Sequence, residues 1–136
     1  MTRKWNLPLT YEPKIQPVID GTIRQTIRPK RKFSVGDLIR FYTWQGRPYW
    51  SKRTTITEYV EIKTTIPLMI FPNGFYYDIP SDRTLAWWGS IYGQALAELD
   101  GIISPSGRHL GEVLHEILMS KNKLPIGGIE AQVIRW

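Results

Sequence analysis

The octapeptide Gly21-Thr22-Ile23-Arg24-Gln25-Thr26-Ile27-Arg28 alternates in polarity with the period of a β-strand. Thr22, Arg24, Thr26 and Arg28 share one side, which carries two hydroxyls and two guanidinium groups. Pro29 predicts the end of this strand, because proline cannot donate to a strand ladder. A basic loop, Lys30-Arg31-Lys32, follows, and Val35-Gly36-Asp37-Leu38 then supplies a turn before another predicted strand.

The rest of the chain mixes both kinds of secondary structure. A short helix is predicted before Gly21, and strands are predicted over Leu38 to Thr43 and within Thr54 to Thr65. Pro72-Asn73-Gly74 predicts a hairpin turn. Two amphipathic helices follow, the first beginning at Ser81 or Asp82, and a last strand runs from Ile129 to Trp136. Their apolar stripes are Leu85, Trp88, Tyr92, Ala95 and Leu99 in the first, and Leu110, Val113, Leu114, Ile117 and Leu118 in the second. We therefore expect an α+β fold.

Composition limits the possible classes of function. The chain has 136 residues, 42% of them apolar, and a net charge of +6, which suits a single domain over residues 1–136. It has no cysteine, which excludes disulfides, cysteine-based zinc sites and thiol nucleophiles. His109 and His115 lie six positions apart with no third ligand evident, so we expect no metal site and no cofactor.

Neither a secretory signal nor a membrane span is expected from the sequence. The basic residues of Met1 to Trp5 are not followed by an apolar run. The longest uncharged stretch, Thr64 to Tyr77, is too short to cross a bilayer and contains two prolines. We therefore expect a cytoplasmic protein with no membrane partner. The sequence leaves its oligomeric state open.

The Gly21–Arg28 motif and the Gly36-Asp37 turn together resemble the signature of the ASCH domain, a family of the PUA-like superfamily. Leu99-Asp100-Gly101-Ile102 is similar to that family's turn of Asp, Gly and an apolar residue, and Val133–Trp136 is similar to its closing strand. The resemblance implies a small PUA-like (ASCH) mixed β-barrel with flanking helices. It also implies a cleft beside the motif strand.

The resemblance further implies binding of RNA or of modified nucleosides. Some bacterial relatives hydrolyse N(4)-acetylcytidine with a motif lysine, a threonine three residues later and a distant glutamate. Thr26 matches the threonine and Arg28 the motif arginine, whereas Ile23 occupies the lysine position. By a looser alignment, Asp100 falls at the glutamate position.

The missing lysine matters because a threonine hydroxyl is a poor nucleophile unless a neighbouring base removes its proton. Arg24 stands one position along from Ile23, but a strand points it to the opposite face, and an arginine remains protonated. Lys52 is the alternative that the sequence offers, if a neighbouring strand carries it to the cleft. Thr26, Lys52 and Asp100 are thus the candidate catalytic residues.

The basic and aromatic residues around the motif suggest a polyanion as partner. Arg24, Arg28 and Lys32 are candidates to contact phosphate. Trp44 and Trp50 flank a basic turn and are candidates to stack on bases. The first hypothesis is an RNA- or nucleotide-binding domain with a basic cleft beside the motif strand.

The alternative hypothesis is an amidohydrolase that removes the acyl group from N(4)-acetylcytidine-type nucleosides, with Thr26 as nucleophile. A third, a protein–protein adaptor, depends only on the aromatic and basic surface.

Overall fold

The chain folds into nine strands and three helices in a computed structural model that describes residues 2–45, 52–79, 83–104, 107–121 and 128–136. The α+β class expected from the sequence is confirmed. In chain order the elements are β1 (Lys4–Pro8), α1 (Glu12–Asp20), β2 (Gln25–Pro29), β3 (Leu38–Trp44), β4 (Arg53–Thr55), β5 (Val60–Glu61), β6 (Thr64–Ile70), β7 (Gly74–Tyr77), β8 (Ala86–Trp87), α2 (Ile91–Leu99), α3 (Leu110–Lys121) and β9 (Ile129–Arg135).

The strands form two sheets. In the first, β3 pairs with β1 in parallel and with β4 and β5 in antiparallel fashion. The second is antiparallel throughout, in the order β2-β9-β6-β7-β8. Strand pairing among the described residues does not close either sheet into a barrel. No helix in these ranges is long and apolar enough to cross a membrane.

Strand β9 lies between two apolar clusters and belongs to both. Ala131 and Val133 pack against α2 and α3, whereas Ile134 packs against the first sheet and α1. Ala131, Gln132, Val133 and Ile134 are all buried, so both faces of β9 are covered over this stretch. Because β2 pairs with β9 along its whole length, the motif strand also runs where the two clusters meet.

The Gly36-Asp37 turn is a polar anchor for the first sheet. The Asp37 carboxylate accepts hydrogen bonds from the backbone N–H of Arg3 and of Ser34 and from Nε1 of Trp5. Burial acts to raise the pKa of Asp37, but these three donors outweigh it, and the pKa lies below its usual value. The turn predicted from the sequence is therefore confirmed, with Asp37 bonding nearby amides.

Two predicted elements have different bounds in the structure. The motif strand begins at Gln25, so Arg24 lies outside it. Helix α2 begins at Ile91, not near Ser81, because the Ser90 hydroxyl accepts the N–H of Gly93 and caps the helix there. Upstream of that cap, Ala86 of β8 pairs with Phe75 of β7. Trp88 is a core residue that precedes the helix.

Helices α2 and α3 cross at two glycines. A Cβ atom at Gly111 would lie 1.9 Å from the carbonyl oxygen of Trp88, and one at Gly93 would lie 2.1 Å from the same atom.

Gly111→Ala is expected to lower the free energy of unfolding by about 1–3 kcal/mol, because the backbone must move to admit the methyl group. The clash outweighs the better helix propensity of alanine, worth about 1 kcal/mol. Gly89→Ala is the matched control, because its Cβ would meet only the tip of the Glu112 side chain, at 3.2 Å. Urea unfolding measures both variants, and equal losses would contradict the close approach.

Candidate functional site

The motif strand presents two of the predicted residues on one face. Thr26 and Arg28 are two positions apart on β2, and Nε of Arg28 donates a hydrogen bond to Oγ1 of Thr26 at 3.1 Å. Nη2 of Arg28 donates to the carbonyl oxygen of Pro8 in β1, at 2.6 Å. The Thr26 hydroxyl thus accepts from a cation and keeps its own proton available for a base.

A buried lysine and a buried aspartate form an ion pair beside these residues. Lys14 Nζ lies 3.2 Å from Oδ1 of Asp100, and the two side chains are 4% and 9% exposed. Lys14 shares a helix face with the buried Val18, four residues further along α1. Apart from this ionic contact, Oδ1 of Asp100 has no hydrogen-bond partner among the described residues. It can therefore accept a hydrogen bond from a ligand.

A left-handed glycine in the turn after α2 follows Asp100 directly. Gly101 has a φ of 79°, a left-handed conformation that suits glycine. A Cβ atom at Gly101 would meet the Ile23 side chain at 3.0 Å. The apolar Ile23 side chain thus packs on the turn that holds Asp100.

A cavity of about 110 Å³ is lined by the four polar side chains described above. Its polar wall consists of Lys14, Thr26, Arg28 and Asp100, and most of the remaining lining is apolar, including Leu9, Ile27, Ile102, Leu114, Ile117 and Leu118. Ligand pockets usually measure about 300–1,000 Å³, so this cavity is too small to enclose a whole nucleoside. It suits a small group with one polar and one apolar end.

Burial shifts the pKa of each of the three charged groups in the cavity wall. It lowers the pKa of Arg28 to about 10, which leaves the guanidinium protonated at neutral pH. It raises the pKa of Asp100, an effect opposed by the charges of Lys14 and Arg28 and by the Gln25 amide. It also lowers the pKa of Lys14, although Asp100 acts in the opposite direction. Lys14 therefore loses its proton more readily than a surface lysine does.

The Gln25 side chain links β2 to helix α2 and to the neighbouring strand β9. Its side-chain Nε2 donates to the carbonyl oxygen of Leu96 in α2, and its Oε1 accepts from Nε of Arg135 in β9. Gln25 is 2% exposed, so its amide has no access to water as an alternative partner. These bonds hold β2 against the end of α2, where Asp100 lies.

Of the candidate catalytic residues, Thr26 and Asp100 come together and Lys52 does not join them. The Lys52 side chain is exposed, and its backbone carbonyl accepts the N–H of Gln45 beside β3 and β4. It is absent from the cavity lining. The amine that lines the cavity together with Thr26 belongs instead to Lys14.

The candidate phosphate-binding residues are dispersed over the surface. Arg28 lines the cavity, whereas the exposed Arg24 donates from Nε to the carbonyl oxygen of Gly21. Lys32 lies beside Arg3 near the Asp37 turn. The three cations therefore do not form the single basic cleft that the sequence predicted, because Arg24 is not part of the strand.

The candidate stacking residues lie elsewhere. Trp44 ends β3, with its ring 5.4 Å from the ring of Tyr42 in an edge contact. Trp50 lies outside the described residues.

Lys14 is a cavity residue that was not predicted from the sequence. Its signal was a lysine four residues before the buried Val18, on a face of α1 that turns towards the core. Ile15, Val18 and Ile19 recur at helical spacing and predict an apolar face of α1, on which no lysine is expected, yet Ile19 is 45% exposed.

Two larger depressions, of about 520 and 510 Å³, flank Arg24 and Trp136. Their charged residues include Glu58, Glu61 and Lys63, which are exposed to water. The small cavity is the stronger candidate, because its charged groups are buried and paired.

Comparison with known proteins returns no match to any family model, curated protein or solved structure. Among the described residues, no three His, Cys, Asp or Glu side chains are placed to hold a metal ion.

Asp100→Asn is expected to lower the free energy of unfolding by about 3–5 kcal/mol, because it leaves Lys14 buried without its counter-charge. Lys14→Met in the same background is expected to recover part of that loss, so the two changes should not add. Glu116→Gln removes the exposed partner of Arg108 and is the control, expected to change the free energy of unfolding far less, because water already solvates both groups of that pair. Strict additivity in urea unfolding would contradict the ion pair.

Proposed function

We propose that the protein is an amidohydrolase that removes the acyl group from an N(4)-acylated cytosine nucleoside. The observation that carries the proposal is the buried Lys14–Asp100 pair in the same cavity as Thr26. A nucleophilic hydroxyl, an amine whose pKa is lowered and a carboxylate that holds the amine are the three parts such a hydrolysis needs. The resemblance of the motif to ASCH domains supports the choice of substrate. We also propose that the fold is related to the PUA-like superfamily.

In the proposed first step, the Lys14 amine accepts the proton of Thr26 as Oγ1 attacks the acyl carbon. Nε of Arg28 already donates to that oxygen, which stabilises negative charge on it. The C–N bond then breaks, and the Lys14 ammonium returns the proton to the departing amine of cytosine. An acyl ester remains on Thr26.

In the second step, Lys14 takes a proton from water as the water oxygen attacks the ester carbonyl. The acyl–oxygen bond breaks, Thr26 regains its proton, and a carboxylic acid is released. Asp100 acts throughout as the counter-charge that holds the amine and stabilises its protonated form. The overall reaction consumes one water and needs no cofactor.

The size of the cavity indicates which part of the substrate it takes. A volume of about 110 Å³ admits the acyl group and its carbonyl, while the base and sugar remain outside. The apolar wall formed by Leu114, Ile117 and Leu118 would contact the acyl carbon chain. We therefore expect short acyl groups to be preferred.

A second candidate function is nucleotide or RNA binding without chemistry. It is favoured by the charge of the cavity, where Lys14 and Arg28 face a single carboxylate. Such a site would take an anion, such as a phosphate group, as the balancing charge. Thr26 would then supply only a hydrogen bond.

The protein is expected to convert N(4)-acetylcytidine to cytidine and acetate. Chromatography measures the conversion. Thr26→Ala should abolish turnover, because it removes the nucleophile. Lys14→Arg should also abolish it, since arginine keeps the charge opposite Asp100 but cannot act as a base at neutral pH. Lys52→Met is the matched control and should retain full activity, because that lysine is exposed and outside the cavity.

Loss of activity in Lys52→Met with activity kept in Lys14→Arg would overturn the assignment of the base. Absence of turnover in a folded wild-type protein that binds cytidine nucleotides would favour the second candidate.

The kcat/KM of the hydrolysis is expected to rise with pH through the pKa of Lys14, because the base must be unprotonated. Burial lowers that pKa, so the midpoint of the rise should lie below 10.5, the ordinary value for lysine. A pH–rate profile measures it. A midpoint at or above the ordinary value would contradict the role of a buried amine.

A further inference from the structure

One face of the first sheet carries cations and aromatic rings in alternation. Residues 40, 42 and 44 of β3 point away from the core side on which Ile39 and Phe41 are fully buried. Neighbouring strands and the segment before β5 add further residues to that outer face. We call this face the cation–aromatic stripe, and it comprises Lys4, Arg40, Tyr42, Trp44, Arg53 and Tyr59.

The charged groups of the stripe lie over its rings. The Arg53 guanidinium carbon is 4.5 Å from the ring centre of Tyr42 and 5.2 Å from that of Trp44. The guanidinium carbon of Arg40 is 4.5 Å from the ring centre of Tyr59, and Lys4 Nζ is 5.3 Å from the same ring. These contacts hold the cations in place, which lowers the entropy cost of binding a ligand.

Strand register explains why the residues converge. Arg53 pairs with Trp44 across β3 and β4, so its side chain lies on the same face of the sheet. Asn6 pairs with Arg40 across β1 and β3, and its Oδ1 accepts a hydrogen bond from Nε of Arg40. The arrangement therefore belongs to the sheet and does not depend on a loop.

The charge of the stripe is not neutralised within the part of the chain that the structure describes. None of Lys4, Arg40 and Arg53 takes part in an ion pair there, and the stripe itself contains no acidic residue. Lys4 and Arg53 are exposed, whereas Arg40, Trp44 and Tyr59 are partly buried. An anionic partner with flat groups would complement both the charges and the rings.

We infer that the stripe binds a single-stranded polynucleotide. Lys4, Arg40 and Arg53 would contact its phosphates, while Trp44 and Tyr59 would stack on its bases. Tyr42 is 8% exposed and acts as the support on which Arg53 rests. The inference goes beyond the proposed hydrolysis, since none of these residues lines the cavity.

The stripe ends close to the cavity. Tyr42 pairs with Pro8 across β3 and β1, and the Pro8 carbonyl accepts the hydrogen bond from Nη2 of Arg28. A polynucleotide bound along the stripe would therefore pass near the side of β2 that carries Thr26 and Arg28.

The test is fluorescence anisotropy with labelled single-stranded RNA and DNA of about 12 nucleotides, within the range that single-strand binding folds cover. Binding is expected to weaken between about 50 and 200 mM salt. Arg53→Ala and Arg40→Ala should each reduce the magnitude of the salt slope by about 0.7, one phosphate contact's worth for single strands. Tyr59→Leu should weaken binding by about fivefold or more, the loss expected for one stacked base.

Arg24→Ala is the matched control, since it removes the same charge from an exposed position outside the stripe. It should change the affinity by less than about twofold, within the effect of net charge alone. Arg53→Lys keeps the charge but not the flat guanidinium, and should weaken binding while preserving the salt slope. Unchanged thermal unfolding confirms that each variant is folded.

Three results would overturn the inference: no binding of either strand at low salt, an equal loss in Arg24→Ala and Arg53→Ala, or equally tight binding of a duplex of the same length. Hydrolysis of free N(4)-acetylcytidine by Arg53→Ala should match the wild type. The two experiments therefore distinguish a failure of polynucleotide binding by the stripe from a failure of the proposed hydrolysis.

Discussion

Lys14 and Asp100 are both removed from water, and each is tolerated in the core because the other lies 3.2 Å away. Lys14 belongs to α1, which packs on the first sheet, and Asp100 follows α2, which packs on the second. The ion pair therefore ties the two halves of the core together at one point. Displacement of either helix would leave a buried charge without a partner, a cost far above that of losing an exposed ion pair.

The position of the cavity follows from the shared strand β9. Thr26 pairs with Ile134 and Ile27 with Val133, so the two faces of β2 belong to different apolar clusters. The cavity opens where those clusters meet, which gives it apolar walls around a few charged groups. In such a setting, attraction between charges is stronger than in water, and the protonation of each group depends on its neighbours. The chemistry proposed for Thr26 depends on that low-dielectric environment.

Alternation in the sequence correctly predicted that Thr26 and Arg28 share a face, and the α+β class followed from the change of period along the chain. Lys14 was missed because its role depends on the distant Asp100, a contact between two helices that no local pattern records. The start of α2 was misplaced because Trp88 continues a helical stripe in sequence, whereas the Ser90 cap begins the helix after it. The stripe on β3 was only partly visible, since Arg40 and Tyr59 meet through the pairing of β5 with β3.

The most direct test of the account is the protonation of Lys14 in the folded protein. Nuclear magnetic resonance of protein carrying ¹³C-labelled lysine follows each side chain through a pH titration, and Lys14→Arg identifies the Lys14 signal by its disappearance. Lys14 is predicted to titrate below the ordinary value of 10.5, because burial disfavours its charge. Titration of Lys14 at or above that value would contradict the buried, paired amine on which the proposed chemistry rests.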